Sequence, residues 1–442
     1  MNNHILGALR LRYLDRGRQY REIRRAVTED AVQRTQERHM NALLLHAYHN
    51  VPYYRHIFNE VGLVQDGVVD LSKFDRVPVL TKDAIRQFRK ELTSRDYTTR
   101  RWYYNTSGGS TGEPVRFIQD RELLKWVRGT EHYYFKDMLG IAEPTARIVW
   151  LWGSERDIFE NTVGTKTRLI NWATTTMQLN SFKMAKEDLA CYIGKINAYK
   201  PDIVRGYARS LFELCEYARG QNTRLYSPKI VVSSAETLRD DMRHVIESQF
   251  RTKVYDFYGS RETPCLAAEC KNGSMHVFSV NHRLEVLDNH NCAVGAGEKG
   301  KIVVTTLHNY SMPLIRYEIG DTAVQSDGAC SCGIALPILK KVSGRISDHF
   351  VTENGTLIHG EYFTRLFYFK DCITKFQVIQ EDYRQIRVLV VLKNSLGELE
   401  KRDIERKIRL VMGECTVIWE VVDAIPVTSS GKYLFVKSLV RH

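Results

Sequence analysis

The sequence predicts an α/β protein: a large N-terminal domain of helix-covered sheets, followed by a small α+β C-terminal domain. Three observations predict it. Between about 120 and 260 strand-like runs alternate with helical ones, the pattern of a parallel sheet covered by helices. From 277 to 325 the runs shorten, with β patterns at Arg283–Leu287 and Lys301–Thr306. After Asp348 the character changes again, with strands at Phe376–Ile379, Ile386–Leu392 and Val417–Val422 and a helix at Leu399–Met412. The boundary is placed so that 1–347 form one domain and 348–442 the other. A chain of 442 residues is long enough for two or three.

Residues 1 to about 60 read as helical, broken by the extended Val51-Pro52-Tyr53. Thr81 is expected to cap a helix over Lys82-Asp83-Ala84-Ile85, because its hydroxyl can accept an N–H of the first turn. A β-type run follows at Val115–Ile118. The alternating region then reads as strand Arg147–Trp152, helix Lys186–Tyr199 closed by Lys200-Pro201, strand Ile203–Tyr207, helix Ser210–Arg219, strand Lys229–Ser233, helix Leu238–Phe250 and strand Val254–Tyr258. Ligands on such sheets bind at the carboxyl ends of the strands. Two polar segments stand there, Ser233-Ser234-Ala235-Glu236 and Tyr258-Gly259-Ser260-Arg261-Glu262.

Composition narrows the partners. Hydrophobic and charged contents of 43% and 26% are those of a soluble globular protein. No apolar run approaches the ~20 residues of a membrane span, and Met1–Arg25 lacks the apolar core of a signal peptide, so the expected compartment is the cytoplasm. The net charge of +12 fits nucleic acid, an anionic membrane surface or a phosphate-rich small molecule. None of the common nucleic-acid motifs is present. Basic residues are densest from Arg10 to Arg25, which reads as a solvated helix face or as an arm touching lipid or a second copy of the chain in a homodimer. Nine cysteines in a cytosolic chain are not a disulfide framework.

The segment Asn105-Thr106-Ser107-Gly108-Gly109-Ser110-Thr111-Gly112-Glu113-Pro114 is dominated by Ser, Thr and Gly. Glycines let a backbone wrap an anion and hydroxyls add donors, which suits a polyphosphate. It is not the Walker loop, which needs Lys-Ser/Thr after the last glycine; Glu113-Pro114 stands there instead. A polar hairpin loop is the plainer alternative.

Six motifs stand in a fixed order: this loop, Ser233–Glu236, Tyr258–Glu262, Pro313-Leu314-Ile315-Arg316-Tyr317-Glu318-Ile319-Gly320-Asp321, Gly344-Arg345-Ile346-Ser347-Asp348 and Ser430-Gly431-Lys432. Together with Val51-Pro52-Tyr53-Tyr54 and Val77–Lys82, the set resembles the adenylate-forming (acyl-CoA synthetase) superfamily, and within it the phenylacetate–CoA ligase, coenzyme F390 synthetase and CapK-like branch. The resemblance covers nearly the whole chain. It implies that a carboxylate attacks the α-phosphate of ATP to give an acyl-adenylate and pyrophosphate, and that a thiol, usually of CoA, then takes the acyl group.

The resemblance also implies roles. Ser107, Gly108, Gly109, Ser110, Thr111 and Gly112 would hold the β/γ-phosphates. Glu262 would bind Mg²⁺, a hard cation suited to oxygen ligands and phosphates. Tyr258 and the backbone at Ala235 and Glu236 would flank the adenine, Gly259 and Ser260 would belong to the same nucleotide site, and Asp321 would accept from both ribose hydroxyls. Arg345 would sit near the ribose or α-phosphate. Lys432 would bridge carboxylate and α-phosphate, on a C-terminal domain that turns about Asp348 between half-reactions. Taken singly, Asp321 fits an Asx-turn, Glu262 a helix N-terminus and Lys432 a solvated loop. Arg261 stands where many relatives carry Thr or Ser, although CapK-like members carry Arg, and His349 stands where a second acidic residue is usual.

Cys330-Ser331-Cys332 is a tight CxC knuckle, and Cys265, Cys270 and His276 lie upstream. Four soft ligands in two clusters is the arithmetic of structural zinc. The family pattern implies Cys270, His276, Cys330 and Cys332, with Cys265 as the alternative ligand or as part of the acyl pocket. The leading expectation is a ligase passing its acyl group to CoA, with polysaccharide or secondary-metabolite biosynthesis as a setting; the alternatives are an adenylating enzyme serving a carrier protein or an amine, and a non-catalytic binding homologue.

Overall fold

The computed structural model describes residues 17–107, 115–153, 175–326, 328–343, 349–367, 370, 372–425 and 435–440. Their Cα positions cluster into two compact units. One holds the described residues of Met1–Ser107, Val115–Ala146 and Tyr255–Gly344, the other those of Arg147–Val254 and Arg345–His442.

The first unit opens with helices Gly17–Thr28, Val32–Asn50 and Pro52–Val61. Val51 is extended, and Pro52 begins the third helix where its missing N–H removes no helical hydrogen bond. The basic first helix buries Ile23, Ala26 and Val27 and packs on helix Arg121–Tyr133, leaving Arg18, Arg21, Arg24 and Arg25 outward. Gly129 permits that approach, since a Cβ there would lie 2.8 Å from the Cβ of Gln19. Thr81 caps its helix as expected, accepting from the N–H of Ala84.

This unit's sheet is antiparallel, in the order His282–Leu287, Lys299–Thr306, Tyr317–Gln325, Ile338–Ser343, Met275–Val277, Ala267–Glu269, Val254–Tyr258. Ile338–Ser343 pairs with Met275–Val277, which aligns Ile338 with His276 and draws together loops 60 residues apart. Leu43, Leu44, Phe58, Phe74, Ile302 and Ile315 lie in its core. Arg316 is 2% exposed and adopts φ +49°, in the left-handed region. It pairs with Glu285 at 3.0 Å and donates to the carbonyls of Asp75 and Val77, both at 2.6 Å. A buried charge held this way is a structural pin.

In the second unit Ile230–Ser234, Ile203–Tyr207, Ile148–Trp152 and Thr176–Asn180 form a parallel sheet in that order. Helices Lys186–Tyr199, Ala208–Gly220 and Asp240–Phe250 accompany it, with Lys200 ending the first in a left-handed cap. The strand Thr176–Asn180 has no sequence expectation behind it: Thr-Met-Gln-Leu-Asn carries little β signal, and pairing with Ile148–Trp152 supplies it. Residues 373–438 give the expected α+β pattern, a sheet ordered Thr416–Val421, Gln385–Leu392, Ile373–Asp382, Val436–Ser438 with helix Glu398–Met412. A short antiparallel pair, His349–Val351 with Leu357–His359, extends onto Lys183–Met184.

Candidate active site

In the first unit, hairpin Trp102–Thr106 and Arg116–Asp120 pairs up to Thr106 opposite Arg116. Ser107 and Val115 add the closing contacts. The N–H of Ser107 donates to the Val115 carbonyl at 3.0 Å, and its buried hydroxyl accepts from the Val115 N–H at 2.8 Å. Ser107 therefore fastens the base of the loop, and its N–H is already engaged. Gly108, Gly109, Ser110, Thr111 and Gly112 lie outside the described residues.

The turn after Val254–Tyr258 is tightly tied. The N–H of Ser260 donates to the Thr263 carbonyl, the N–H of Leu266 to the Tyr258 carbonyl, and the N–H of Thr263 to the Ser260 hydroxyl. Gly259 is required, because a Cβ there would meet the Cys265 nitrogen at 2.9 Å. Arg261 anchors the turn to the hairpin: its carbonyl accepts from Gln119 at 2.8 Å and its guanidinium reaches the Thr106 hydroxyl at 3.4 Å. Cys265 takes φ +53°, and its thiol points at the Val127 carbonyl.

Two side chains of one strand face this turn. Tyr317 and Asp321 stand four residues apart on Tyr317–Gln325, hence on one face. Asp321 accepts from the Tyr258 hydroxyl at 2.8 Å, and Glu262, 3% exposed, accepts from the Tyr317 hydroxyl at 3.2 Å. The structure thus brings Tyr258, Glu262 and Asp321 together and adds Tyr317. Glu262 lies between strands with no helix opening at it, and Asp321 lies within a strand, so neither the helix-terminus nor the Asx-turn alternative describes them.

Below this turn, His282 is buried, with its ring nitrogen Nε2 2.9 Å from the Pro264 carbonyl. Burial drives its pKa down to about 4, against the opposing pull of the Pro264 and Cys265 backbone.

In the second unit, Ala235 follows strand Ile230–Ser234 in the left-handed region (φ +69°), unusual for a residue with a Cβ. That turn directs the Glu236 side chain inward. One oxygen accepts from the backbone N–H of Arg209, in the first turn of helix Ala208–Gly220, at 2.9 Å. The other lies 3.0 Å from His359 Nε2 and 3.6 Å from His349 Nε2. Burial would raise the carboxyl's pKa; the two histidines and the helix N–H outweigh it and hold it at about 2. His349 and His359 are directly opposite in their antiparallel pair. Their partnership escapes sequence reading, since nothing local marks either as a functional histidine.

A third cluster lies in the first unit. Cys270, His276, Cys330 and Cys332 offer ligand atoms within 4.8 Å of one another. Cys270 Sγ and Cys330 Sγ are 3.6 Å apart, and Cys332 Sγ is 3.3 Å from His276 Nε2. Tetrahedral zinc with ~2.3 Å sulfur bonds would space sulfurs roughly 3.8 Å apart, so the set fits that ion. The other nitrogen of His276 faces the Leu336 carbonyl at 3.3 Å, the outer contact that orients a ligating imidazole. Cys265 is not in this set. Arg345, Asp348 and Lys432 lie outside the described residues, and no described helix is long and apolar enough to cross a membrane.

Residues 350–439 match the family described as CapK C-terminal domain. Protein CapK of Staphylococcus aureus is 24% identical over 83% of this chain and 80% of its own. Phenylacetate-coenzyme A ligase of Escherichia coli K12 is 24% identical over 73% of each. The fold matches that of 2-hydroxyisobutyryl-CoA ligase in complex with 2-HIB-AMP and CoA, with a TM-score of 0.60 at 18% identity over 94% of this chain and 92% of that one. Over most of its length the chain is therefore similar to CapK and the phenylacetate–CoA ligases, and it shares the fold of 2-hydroxyisobutyryl-CoA ligase.

Proposed function

We propose that this protein is an AMP-forming acid–thiol ligase, which activates a carboxylic acid with ATP and passes the acyl group to CoA. The observation that carries this reading is the joined pair Tyr258–Asp321 and Tyr317–Glu262 at one turn. Asp321 offers the two acceptor oxygens that a ribose diol needs, and Tyr258 fixes its orientation. Glu262 presents a buried carboxylate beside the turn, where a magnesium ion, when bound with the nucleotide, would shield phosphate charge for the incoming carboxylate. Residues 108–112 would cradle the departing pyrophosphate, with Ser107 holding the loop's base. Arg345 would neutralise charge near the α-phosphate, and Lys432, delivered by the C-terminal domain 348–442, would bridge the two reacting oxygens. Withdrawing Lys432 by rotation near Asp348 would then admit the thiol. Positioning two anions and neutralising them is most of the catalysis such a reaction requires.

Zinc at Cys270, His276, Cys330 and Cys332 would be structural, tying the segment after Glu262 to the one before Gly344. Purified protein should carry it at about one equivalent, and Cys330→Ser should release it. Pyrophosphate release over a panel of carboxylic acids tests the whole reading. We expect a subset of acids to stimulate release and Lys432→Ala to abolish it; no stimulation by any acid would overturn adenylation.

A second reading changes only the acceptor. There the same adenylate would go to a carrier protein or an amine. Comparing acyl transfer to CoA, to a phosphopantetheinylated carrier and to amino sugars after a single adenylation turnover separates the two.

A further inference from the structure

We propose that Glu236, His349 and His359 form a binding site for one divalent transition-metal ion of the zinc type, separate from the cysteine knuckle. The three ligand atoms lie within 4.8 Å of one another. Two imidazole nitrogens converge on a single carboxylate oxygen, at 3.0 and 3.6 Å. Metal–nitrogen and metal–oxygen bonds of ~2.0–2.1 Å at tetrahedral angles would space these atoms roughly 3.3 Å apart, which the two distances straddle.

The construction is that of a built site. His349 and His359 are cross-strand neighbours in register, so both rings leave the same face of the pair. Their centroids are 4.6 Å apart, nearly perpendicular, a separation at which two rings can aim at one point. The backbone N–H of His359 donates to the Phe182 carbonyl at 3.0 Å, and its ring lies 4.7 Å from that of Tyr207, so it is held from two sides. Glu236 is fixed at its far oxygen by the Arg209 N–H. Side-chain exposures are 12% for Glu236, 6% for His349 and 4% for His359. Two imidazoles and one carboxylate select zinc, nickel or cobalt over magnesium or calcium, whose preferred ligands are all oxygen. Three protein ligands leave a fourth position for water.

The ion's effect follows from what it would join. Glu236 stands at the carboxyl end of a parallel strand, and His349 and His359 belong to the segment directly after residue 348. A bound metal would lock these together; metal loss would leave a carboxylate–imidazole contact that is weaker and dependent on protonation.

Full-length protein stripped of metal under reducing conditions and titrated with Co²⁺ tests this. Wild type is expected to show one binding event with only weak d–d absorption, distinct from the thiolate charge-transfer bands of a cysteine site. In Cys330→Ser protein that event should persist. His359→Asn should weaken it tenfold or more while leaving the thiolate bands unchanged. Zn²⁺, but not Mg²⁺, should raise the Tm of the Cys330→Ser protein, and His359→Asn should remove that rise. If His359→Asn does not fold, His349→Gln serves, with the same expected loss. A cobalt spectrum in which every band disappears with Cys330→Ser overturns the proposal, as does unchanged affinity in the histidine variants. None of these readouts depends on ligase activity, so failure here leaves the proposed reaction standing.

Discussion

Glu236 and Glu262 look alike in sequence: each ends a short polar segment at the carboxyl end of a strand, two residues after a serine, Ser234 in one case and Ser260 in the other. Their surroundings differ. Glu262 accepts a hydroxyl from Tyr317, a neutral partner that orients a carboxylate without cancelling its charge. Glu236 is met by a helix N–H and two imidazoles, which hold its carboxyl at about 2. The first arrangement keeps a negative charge for a ligand; the second absorbs the charge within the protein or an ion it holds. A carboxylate's role is set by what reaches it from distant parts of the chain.

Substitution at these two positions is the strongest way to break that contrast. Glu262→Gln keeps the Tyr317 contact geometry and removes the charge. We expect acid-dependent pyrophosphate release to fall about 10³-fold, or about 4 kcal/mol, with Tm nearly unchanged. Glu236→Gln should show the reverse emphasis, because it leaves imidazoles facing an amide. About 2 kcal/mol of stability should be lost, seen as a lower denaturant midpoint. If Glu236→Gln matched Glu262→Gln in activity loss at unchanged stability, the distinction would collapse.

Buried imidazoles give the first unit its own pH dependence. His282 lies beneath the Glu262 turn with its pKa lowered to about 4 from 6.5. The unfolded chain therefore binds more protons between these values, and stability falls as pH drops from about 6.5 toward 4. The shift corresponds to roughly 3 kcal/mol, fully present above pH 6.5. His308, stacked on Trp126 at 3.8 Å and also lowered by burial, adds to the same acid loss. Melting of His282→Gln from pH 7 to 4 should be flatter than wild type; an identical slope would remove His282 from the account.

Much of the molecule was legible. Helix Lys186–Tyr199 and strands Ile203–Tyr207 and Val254–Tyr258 sit where period and punctuation put them: the helix buries Leu189, Tyr192, Ile193 and Ile196 at helical spacing and stops before Pro201, and the strands are short, largely apolar runs. The metal cluster is legible in part: soft ligands close in sequence point to it, the choice of Cys270 over Cys265 rests on the family resemblance, and Cys270, His276, Cys330 and Cys332 do come together. Tyr317 was inside a quoted motif yet without a role, since only the pairing of its strand shows which face it presents. Arg316, in the same motif, proves to be a pin to Asp75 and Val77. His349 stands out in the sequence only as a missing acid; its partner His359 lies ten residues on, across a hairpin whose Asn354-Gly355 turn signal is flanked by strands too short to read on their own.

The smallest expected effect is the most diagnostic of the turn itself. Tyr258→Phe removes one hydroxyl, the 2.8 Å donor to Asp321, and leaves the ring. A hydrogen bond to a carboxylate is worth about 1 kcal/mol or somewhat more, so KM for ATP should rise about fivefold while kcat stays within twofold. That split follows if Asp321 binds the ribose in both ground and transition states, since uniform binding changes KM alone. Asp321→Asn should raise the same KM further. A fall in kcat with KM unchanged would instead assign Tyr258 and Asp321 to the reacting end of the site, beside Glu262, and the nucleotide would have to lie the other way along the turn.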